Sequence, residues 1–294
     1  MKILLIGKSG QLGWELHRCL LPLGEVLAPG RETADLARLD ELRAIVRSSR
    51  PDVIVNAAAY TAVDQAEKEP EAARRANREA PALLAEEANR LQAALIWYST
   101  DYVFDGVARR PYKESDQPNP LGVYGRSKLE GEQAVSSVGE AYLIFRTSWV
   151  YSLRRPSFVS KVRQWARQQP TLRVVTDQVS SPTWCRSLAE MTAQVLGMCQ
   201  GQPAGWFGER RGLYHLAERG QASRFEWAQA ILELDPRPQE LAVKRLAEAA
   251  SRDFPTPARR PAYSVLDCTR FEQTFGLTPP HWKTSLALAM ESAL

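Results

Sequence analysis

Tyr124-Gly125-Arg126-Ser127-Lys128 sets a phenol and an ammonium four residues apart, which puts both on one face of any helix that runs through them. A free phenol titrates near about 10, and a neighbouring cation favours its ionised form. The pair therefore suits proton relay, with Tyr124 as general acid and Lys128 as its companion. Upstream, Ile96-Trp97-Tyr98-Ser99-Thr100-Asp101-Tyr102 ends an apolar run in hydroxyls, and Thr100 is placed to hydrogen-bond a reacting oxygen. Near the start, Gly7-Lys8-Ser9-Gly10-Gln11-Leu12-Gly13 fits G-x-x-G-x-x-G. Glycines there permit positive φ and let backbone N–H groups approach a pyrophosphate at a helix N-terminus. Each motif alone is common in ordinary turns and surface helices; their order along one chain gives them weight.

Such groups need a scaffold that presents strand ends to a ligand. Residues 2–6 are apolar almost throughout and end at Gly7, which predicts a buried parallel strand feeding a helix that starts near Gln11. Further apolar runs at 53–55, 95–98, 143–145 and 172–175 alternate with Ala-, Glu- and Arg-rich helical stretches. The rhythm predicts an α/β fold, a doubly wound parallel Rossmann sheet over residues 1–148, with later strands from about 171–176 returning to it. Residues 149–294 read mainly as a smaller C-terminal substrate-binding lobe, because prolines and tryptophans recur and the alternation becomes irregular. Helices are expected there over 158–168, 185–199, 224–234 and from Trp282 to the end.

The 294 residues carry 38 Lys and Arg against 34 Asp and Glu, a net charge of +4 without a basic stripe, so nucleic-acid binding is not expected. Cys19, Cys185, Cys199 and Cys268 are widely spaced, with neither metal-ligand nor disulfide spacing, and read as reduced cysteines. The opening apolar run is too short for a signal or membrane segment, and a cytoplasmic protein without membrane association is expected. In many dinucleotide folds an acidic residue ends the second strand, whereas here the run ends Pro29-Gly30-Arg31. Arg31 suits a 2′-phosphate, so NADPH is the expected cofactor, with NADH as the alternative. Asp35 and Leu36 are placed near adenine. The stretch Asn56-Ala57-Ala58-Ala59-Tyr60-Thr61 offers small residues after another strand.

The glycine loop, the strand-end Ser-Thr and the Y-x-x-x-K together resemble the short-chain dehydrogenase/reductase superfamily. The stretches GKSGQLGWEL, RPDVIVNAAAYTAVDQAE, YSTDYVFDG, VYGRSKLEGE, FRTSWVY and SSPTWC resemble, over nearly the whole chain, the dTDP-4-dehydrorhamnose reductase family. The resemblance implies reduction of the 4-keto group of dTDP-4-dehydro-β-L-rhamnose by NAD(P)H to dTDP-L-rhamnose, a precursor of cell-surface polysaccharide. It implies Thr100, Tyr124 and Lys128 as catalytic residues, Lys128 also holding the nicotinamide ribose. Gly10, Gln11 and Leu12 match phosphate-loop contacts, Asp35 and Leu36 the adenine side, and Ala59, Tyr60 and Thr61 a third cofactor segment. Thr100, Asp101 and Trp149 match sugar-nucleotide contacts. Tyr102 is placed with them, while Trp149 reads equally well as a core aromatic.

Two departures stand out. Gly30 replaces an acidic residue of some relatives, and Ser180 stands where many have glycine in Asp177-Gln178-Val179-Ser180-Ser181-Pro182-Thr183. Arg260-Pro261-Ala262-Tyr263-Ser264 resembles a late family motif on the nucleotide side. Some members hold Mg²⁺ through glutamates at a dimer interface; Glu15 and Glu190 fall at matching positions and Glu291 falls out of register. These glutamates read better as solvated helical residues, so no metal is expected, while a homodimer stays compatible with the sequence. Competing readings are another nucleotide-sugar reductase or epimerase, a non-catalytic dinucleotide-binding regulatory subunit, and a redox sensor without turnover. The joint presence of Thr100, Tyr124 and Lys128 favours an enzyme.

Overall fold

The computed structural model describes residues 1–199 and 201–291. Strand β1 (Lys2–Ile6) is buried from Ile3 onward and passes through the glycine loop into α1 (Gln11–Cys19). Strand β2 (Glu25–Leu27), α2 (Leu39–Ser49) and β3 (Val53–Asn56) follow. Short helices α3 (Val63–Ala66) and α4 (Pro70–Arg74) continue through a π-helical turn at Arg75–Glu79 into α5 (Ala80–Leu91). Strand β4 (Ala94–Thr100), α6 (Val123–Val138) and β5 (Tyr142–Thr147) complete the first half.

The central sheet is parallel, in the order β2, β1, β3, β4, β5 and a sixth strand described below. The chain leaves β1 toward β2 and then crosses back to β3. That reversal makes a switch point between β1 and β3, where open α/β sheets bind ligands beyond the carboxyl ends of their strands. On one face Leu12 and Leu16 of α1 pack against Leu5, Val55 and Ile96; on the other Leu42, Leu84 and Val135 cover Leu4, Ile54 and Leu95.

Beyond residue 148 run β6 (Val150–Tyr151), α7 (Phe158–Gln168), β7 (Thr171–Val175), β8 (Val179–Ser180), β9 (Thr183–Trp184) and α8 (Cys185–Gly197). Then come α9 (Pro203–Arg210), β10 (Gly212–His215), β11 (Ala222–Ser223), α10 (Arg224–Glu233), β12 (Arg245–Ala249), α11 (Thr269–Phe275) and α12 (Trp282–Glu291). The helix expected from Trp282 to the end is present through Glu291, and its last three positions lie outside the described residues.

The strand that returns to the main sheet is β10, paired with β5, and not the run at 171–176. Thr171–Val175 pairs instead with β12 in a separate sheet of the lobe. Its burial explains the difference: Leu172 and Val174 point inward while Thr171 and Arg173 are exposed, the alternation of a half-covered strand and not of a central one. A short apolar run cannot make that distinction by itself. The boundary at 148/149 needs a matching correction, because Leu188 and Val195 of α8, Phe207 of α9 and Phe271 of α11 pack into the core of the main sheet. The lobe proper gathers around α7, β7, α10 and α12, with Trp227 and Trp282 buried at its centre.

Candidate active site

Gly7 has φ +90°, and a Cβ there would fall 2.7 Å from the Ala58 backbone nitrogen, so no larger residue fits between β1 and the segment after β3. The Gly10 N–H donates to the Gly7 carbonyl at 2.9 Å, closing the turn. Leu12 and Gly13 are buried on α1, while the Gln11 Oε1 is buried with no hydrogen-bond partner among the described residues. A narrow cradle of backbone at the start of α1 leaves N–H groups and close backbone approach for the acceptor oxygens of a dinucleotide pyrophosphate.

The rest of the expected cofactor lining follows the strand ends. The Tyr60 N–H donates to Asn77 Oδ1 at 2.9 Å, and Asn77 Nδ2 donates to the Tyr60 carbonyl and to Ser127 Oγ on α6, each at 3.0 Å. Asn77, fully buried, thus ties Ala59-Tyr60-Thr61 to the helix carrying Tyr124. No periodic cue marks it along the chain, since it lies in the π-helical turn. Leu36 is core, packed with Leu42 and Val46, and Asp35 takes the Ala37 N–H and an ion pair from Arg31 at 3.0 Å. The Arg31 side chain is 82% exposed, and the Glu32 carboxylate packs over Gly30, so the end of β2 offers one cation and one carboxylate.

Helix α6 is held against the site at its N-terminal turn. The Glu67 carboxylate accepts the Val123 N–H at 2.8 Å, and a Cβ on Gly125 would lie 2.2 Å from the Tyr102 carbonyl. That approach brings Tyr124 edge-on to Tyr102, with ring centroids 5.8 Å apart. The Thr100 hydroxyl is within hydrogen-bond reach of the Tyr124 hydroxyl. Thr100 also donates to Asp101 Oδ1 at 3.1 Å and accepts the Tyr102 N–H at 3.2 Å. A cleft beside them is lined by Tyr102, Tyr124, Val63, Glu67, Ala258 and Pro261.

The electrostatics differ from the sequence expectation. Burial pushes the Tyr124 phenol well above its ordinary value, and the nearby Asp101 and Tyr102 add to that push while Thr100 opposes it. Lys128 is not on the phenol: its ammonium donates to the Tyr98 carbonyl at 2.5 Å and lies 4.0 Å over the Trp97 ring. Burial brings it down to about 7, partly countered by the Glu132 carboxylate. Tyr124 is therefore a protonated donor here and not a ready phenolate.

Two buried carboxylates frame this centre. Glu132, one turn beyond Lys128, binds Arg146 through both oxygens, at 2.8 and 2.6 Å, and accepts from Ser99. Asp101 takes hydroxyls from Ser264 at 2.5 Å, Ser180 at 3.3 Å and Thr100, and burial raises it to about 6. Ser180, the departure from glycine, is thus one of the donors holding Asp101. Trp149 lies at the mouth of the lobe at φ +41°, stacked on Trp227 at 5.5 Å. Glu15 and Glu190 lie in each other's field on α1 and α8, with Glu190 bonded to Arg186 at 2.8 Å; Glu291 closes α12. Among the described residues, no helix is long and apolar enough to cross a membrane.

A doubly wound parallel sheet with a glycine loop after its first strand, a threonine ending its fourth and a Tyr-x-x-x-Lys on the helix that follows is the pattern of the extended short-chain dehydrogenase/reductase class. Within it, the chain belongs to the family described as RmlD substrate binding domain, whose model matches residues 1–294. It is 42% identical over 298 residues to a dTDP-4-dehydrorhamnose reductase of Burkholderia thailandensis, covering 100% of this chain and 99% of that one. Among solved structures it is similar to a dTDP-4-dehydrorhamnose reductase of Clostridium acetobutylicum, with TM-score 0.91 and 33% identity, covering 100% of this chain and 99% of that chain. It is also similar to one of Bacillus anthracis in complex with NADP, with TM-score 0.89, 29% identity and 99% of each chain covered.

Proposed function

We propose that this protein is an NADPH-dependent reductase that converts dTDP-4-dehydro-β-L-rhamnose to dTDP-L-rhamnose, for use in cell-surface polysaccharide. The observation that carries the reading is the Tyr124 hydroxyl beside Thr100 at the end of β4, on the same carboxyl edge of the parallel sheet as the glycine loop after β1. The similarity to reductases named for this substrate, and to one holding NADP, supports the choice of substrate and cofactor.

Residues 7–13, Ala59, Tyr60 and Thr61 would hold the dinucleotide, and Lys128 would bind its nicotinamide ribose. When bound, the dinucleotide supplies the hydride that reduces the carbonyl carbon. Thr100 would turn its one hydroxyl proton from Asp101 to the ketone oxygen and so orient it. Tyr124 gives its proton to that oxygen as negative charge develops, so the product gains one hydride at carbon and one proton at oxygen. Burial favours the neutral phenol at the start and makes the phenolate left behind a strong base, ready to be reprotonated. At the far end, Arg31 would meet the 2′-phosphate.

The test is oxidation of NADPH and, separately, NADH by the full chain with dTDP-4-dehydro-β-L-rhamnose generated in place, followed by identification of the product. Formation of dTDP-L-rhamnose is expected, faster at low cofactor concentration with NADPH. Dinucleotide binding without turnover of this sugar would overturn the substrate assignment.

A further inference from the structure

Arg224 is the first residue of α10, and its guanidinium carbon lies 3.5 Å over the Trp149 ring, with Phe158 at 4.8 Å and Trp227 at 5.4 Å. The rings fix the plane of the guanidinium and screen it from water, yet supply no counter-charge. Among the described residues Arg224 forms no ion pair within 4 Å; its polar contact is the Tyr102 hydroxyl. Several arginines nearby in the lobe are paired instead: Arg163 and Arg167 with Asp235, Arg173 with Asp253, and Arg260 with Asp64. Asp101 is close enough for its field to reach Arg224, but its oxygens are engaged by Ser264, Ser180 and Thr100.

A screened cation without an anion is costly, and stacking on aromatic rings recovers only part of the lost hydration. Burial accordingly lowers Arg224 to about 10. The ring beneath it belongs to Trp149, whose left-handed backbone conformation at φ +41° is strained for a bulky residue, a strain that concentrates at ligand clamps. Tyr102 links the two centres, since it accepts from Arg224 and stands edge-on to Tyr124. The cation is thus set back from the proton donor by one ring. In a sugar nucleotide the diphosphate is likewise set back from the 4-keto oxygen, across one pyranose ring.

We propose that Arg224 receives the diphosphate of the sugar-nucleotide substrate, clamped in place by Trp149, and so distinguishes a nucleoside-diphosphate sugar from an uncharged one. The inference rests on the nucleotide-sugar reading above. The guanidinium fork matches two phosphate oxygens at once, and its stack on Trp149 is a contact that a lysine does not reproduce.

The experiment is isothermal titration of the full chain with dTDP, UDP and thymidine, for the wild type, Arg224→Met and Arg224→Lys, with NADPH titrated into each. Arg224→Met should weaken dTDP about 10- to 100-fold, the range of lost charge-assisted hydrogen bonds, while thymidine and NADPH change less than about twofold. Arg224→Lys should fall between the two. Undiminished dTDP binding in Arg224→Met overturns the role of Arg224 alone. Equal loss of dTDP, thymidine and NADPH also overturns it, and makes the arginine a packing element of the aromatic cluster. A wild type that binds NADPH but neither dTDP nor UDP overturns the nucleotide-sugar reading itself, and this proposal with it.

Discussion

Between α6 and the sheet, the floor beneath the Tyr124 helix, Glu132 engages Arg146 through both oxygens, whereas on the lobe side Asp101 is held by neutral hydroxyls and Arg224 has no ion-paired carboxylate. The floor is built from one helix and two adjacent strands, and its charges are balanced within the protein. The wall is assembled from β4, β8, α10 and the segment around Ser264, which are far apart in the chain, and it holds a cation without an ion-paired carboxylate and an acid held only by hydroxyls. A balanced floor keeps its geometry whether or not ligand is present. An unbalanced wall draws its missing charge from what binds, which is how a site discriminates among ligands.

The largest effect should come from breaking the floor. Glu132→Ala leaves Arg146 buried and unpaired and should lower stability by roughly 3–5 kcal/mol, read as a fall in the urea midpoint. The double variant Glu132→Met with Arg146→Met should recover most of that loss. A single variant as stable as wild type would show that the pair does not organise the floor. Next in size, Tyr124→Phe should cut kcat by about a hundredfold or more while NADPH binding stays nearly unchanged. Unchanged turnover would remove Tyr124 from the chemistry.

The two regions should also respond to pH with opposite signs. Asp101 is raised to about 6, so between about pH 4 and 6 the folded state keeps a proton that the unfolded chain has released, and stability falls as pH rises through that window. Lys128 is lowered to about 7, so from about pH 7 toward 10 the folded state has released a proton that the unfolded chain keeps, and stability rises with pH. In urea titrations across pH, Asp101→Asn should remove the acid-side slope and Lys128→Met the alkaline one. Curves parallel to wild type would mean that neither group titrates as its burial dictates. The smallest effect belongs at the exposed cofactor end: Arg31→Ala should weaken NADPH about tenfold or less and leave NADH unchanged, measured by fluorescence titration. Equal loss of both dinucleotides would separate Arg31 from the 2′-phosphate.

Floor and wall also differ in how far residue spacing exposes them. Gly7 to Gly13, Thr100 and the Tyr124–Lys128 pair are local patterns, and the fold sets them at strand ends and along one helix, as their spacing requires. What spacing did not convey was direction: Lys128 turns to the Tyr98 carbonyl instead of Tyr124, because helical periodicity fixes a face and not a rotamer. The run at about 171–176 reads as a strand of the main sheet because alternation over five residues is a weak signal, and the strand that completes that sheet, Gly212–His215, is only four residues long. The wall was least legible. Arg224 reads as one more charge at the start of an amphipathic stretch until Trp149, Phe158 and Trp227 close around it. Ser180 was visible only as a departure from glycine, and its hydroxyl gains a purpose once Asp101 is beside it.

The division between a floor that does chemistry and a wall that recognises charge is tested most directly by steady-state kinetics on Tyr124→Phe, Arg224→Met and the double variant, with the dTDP-sugar varied at saturating NADPH. The account predicts that Tyr124→Phe lowers kcat with KM little changed, that Arg224→Met raises KM with kcat little changed, and that the losses in kcat/KM multiply in the double variant. A fall in kcat with unchanged KM for Arg224→Met, or a double variant no worse than Tyr124→Phe alone, would contradict it.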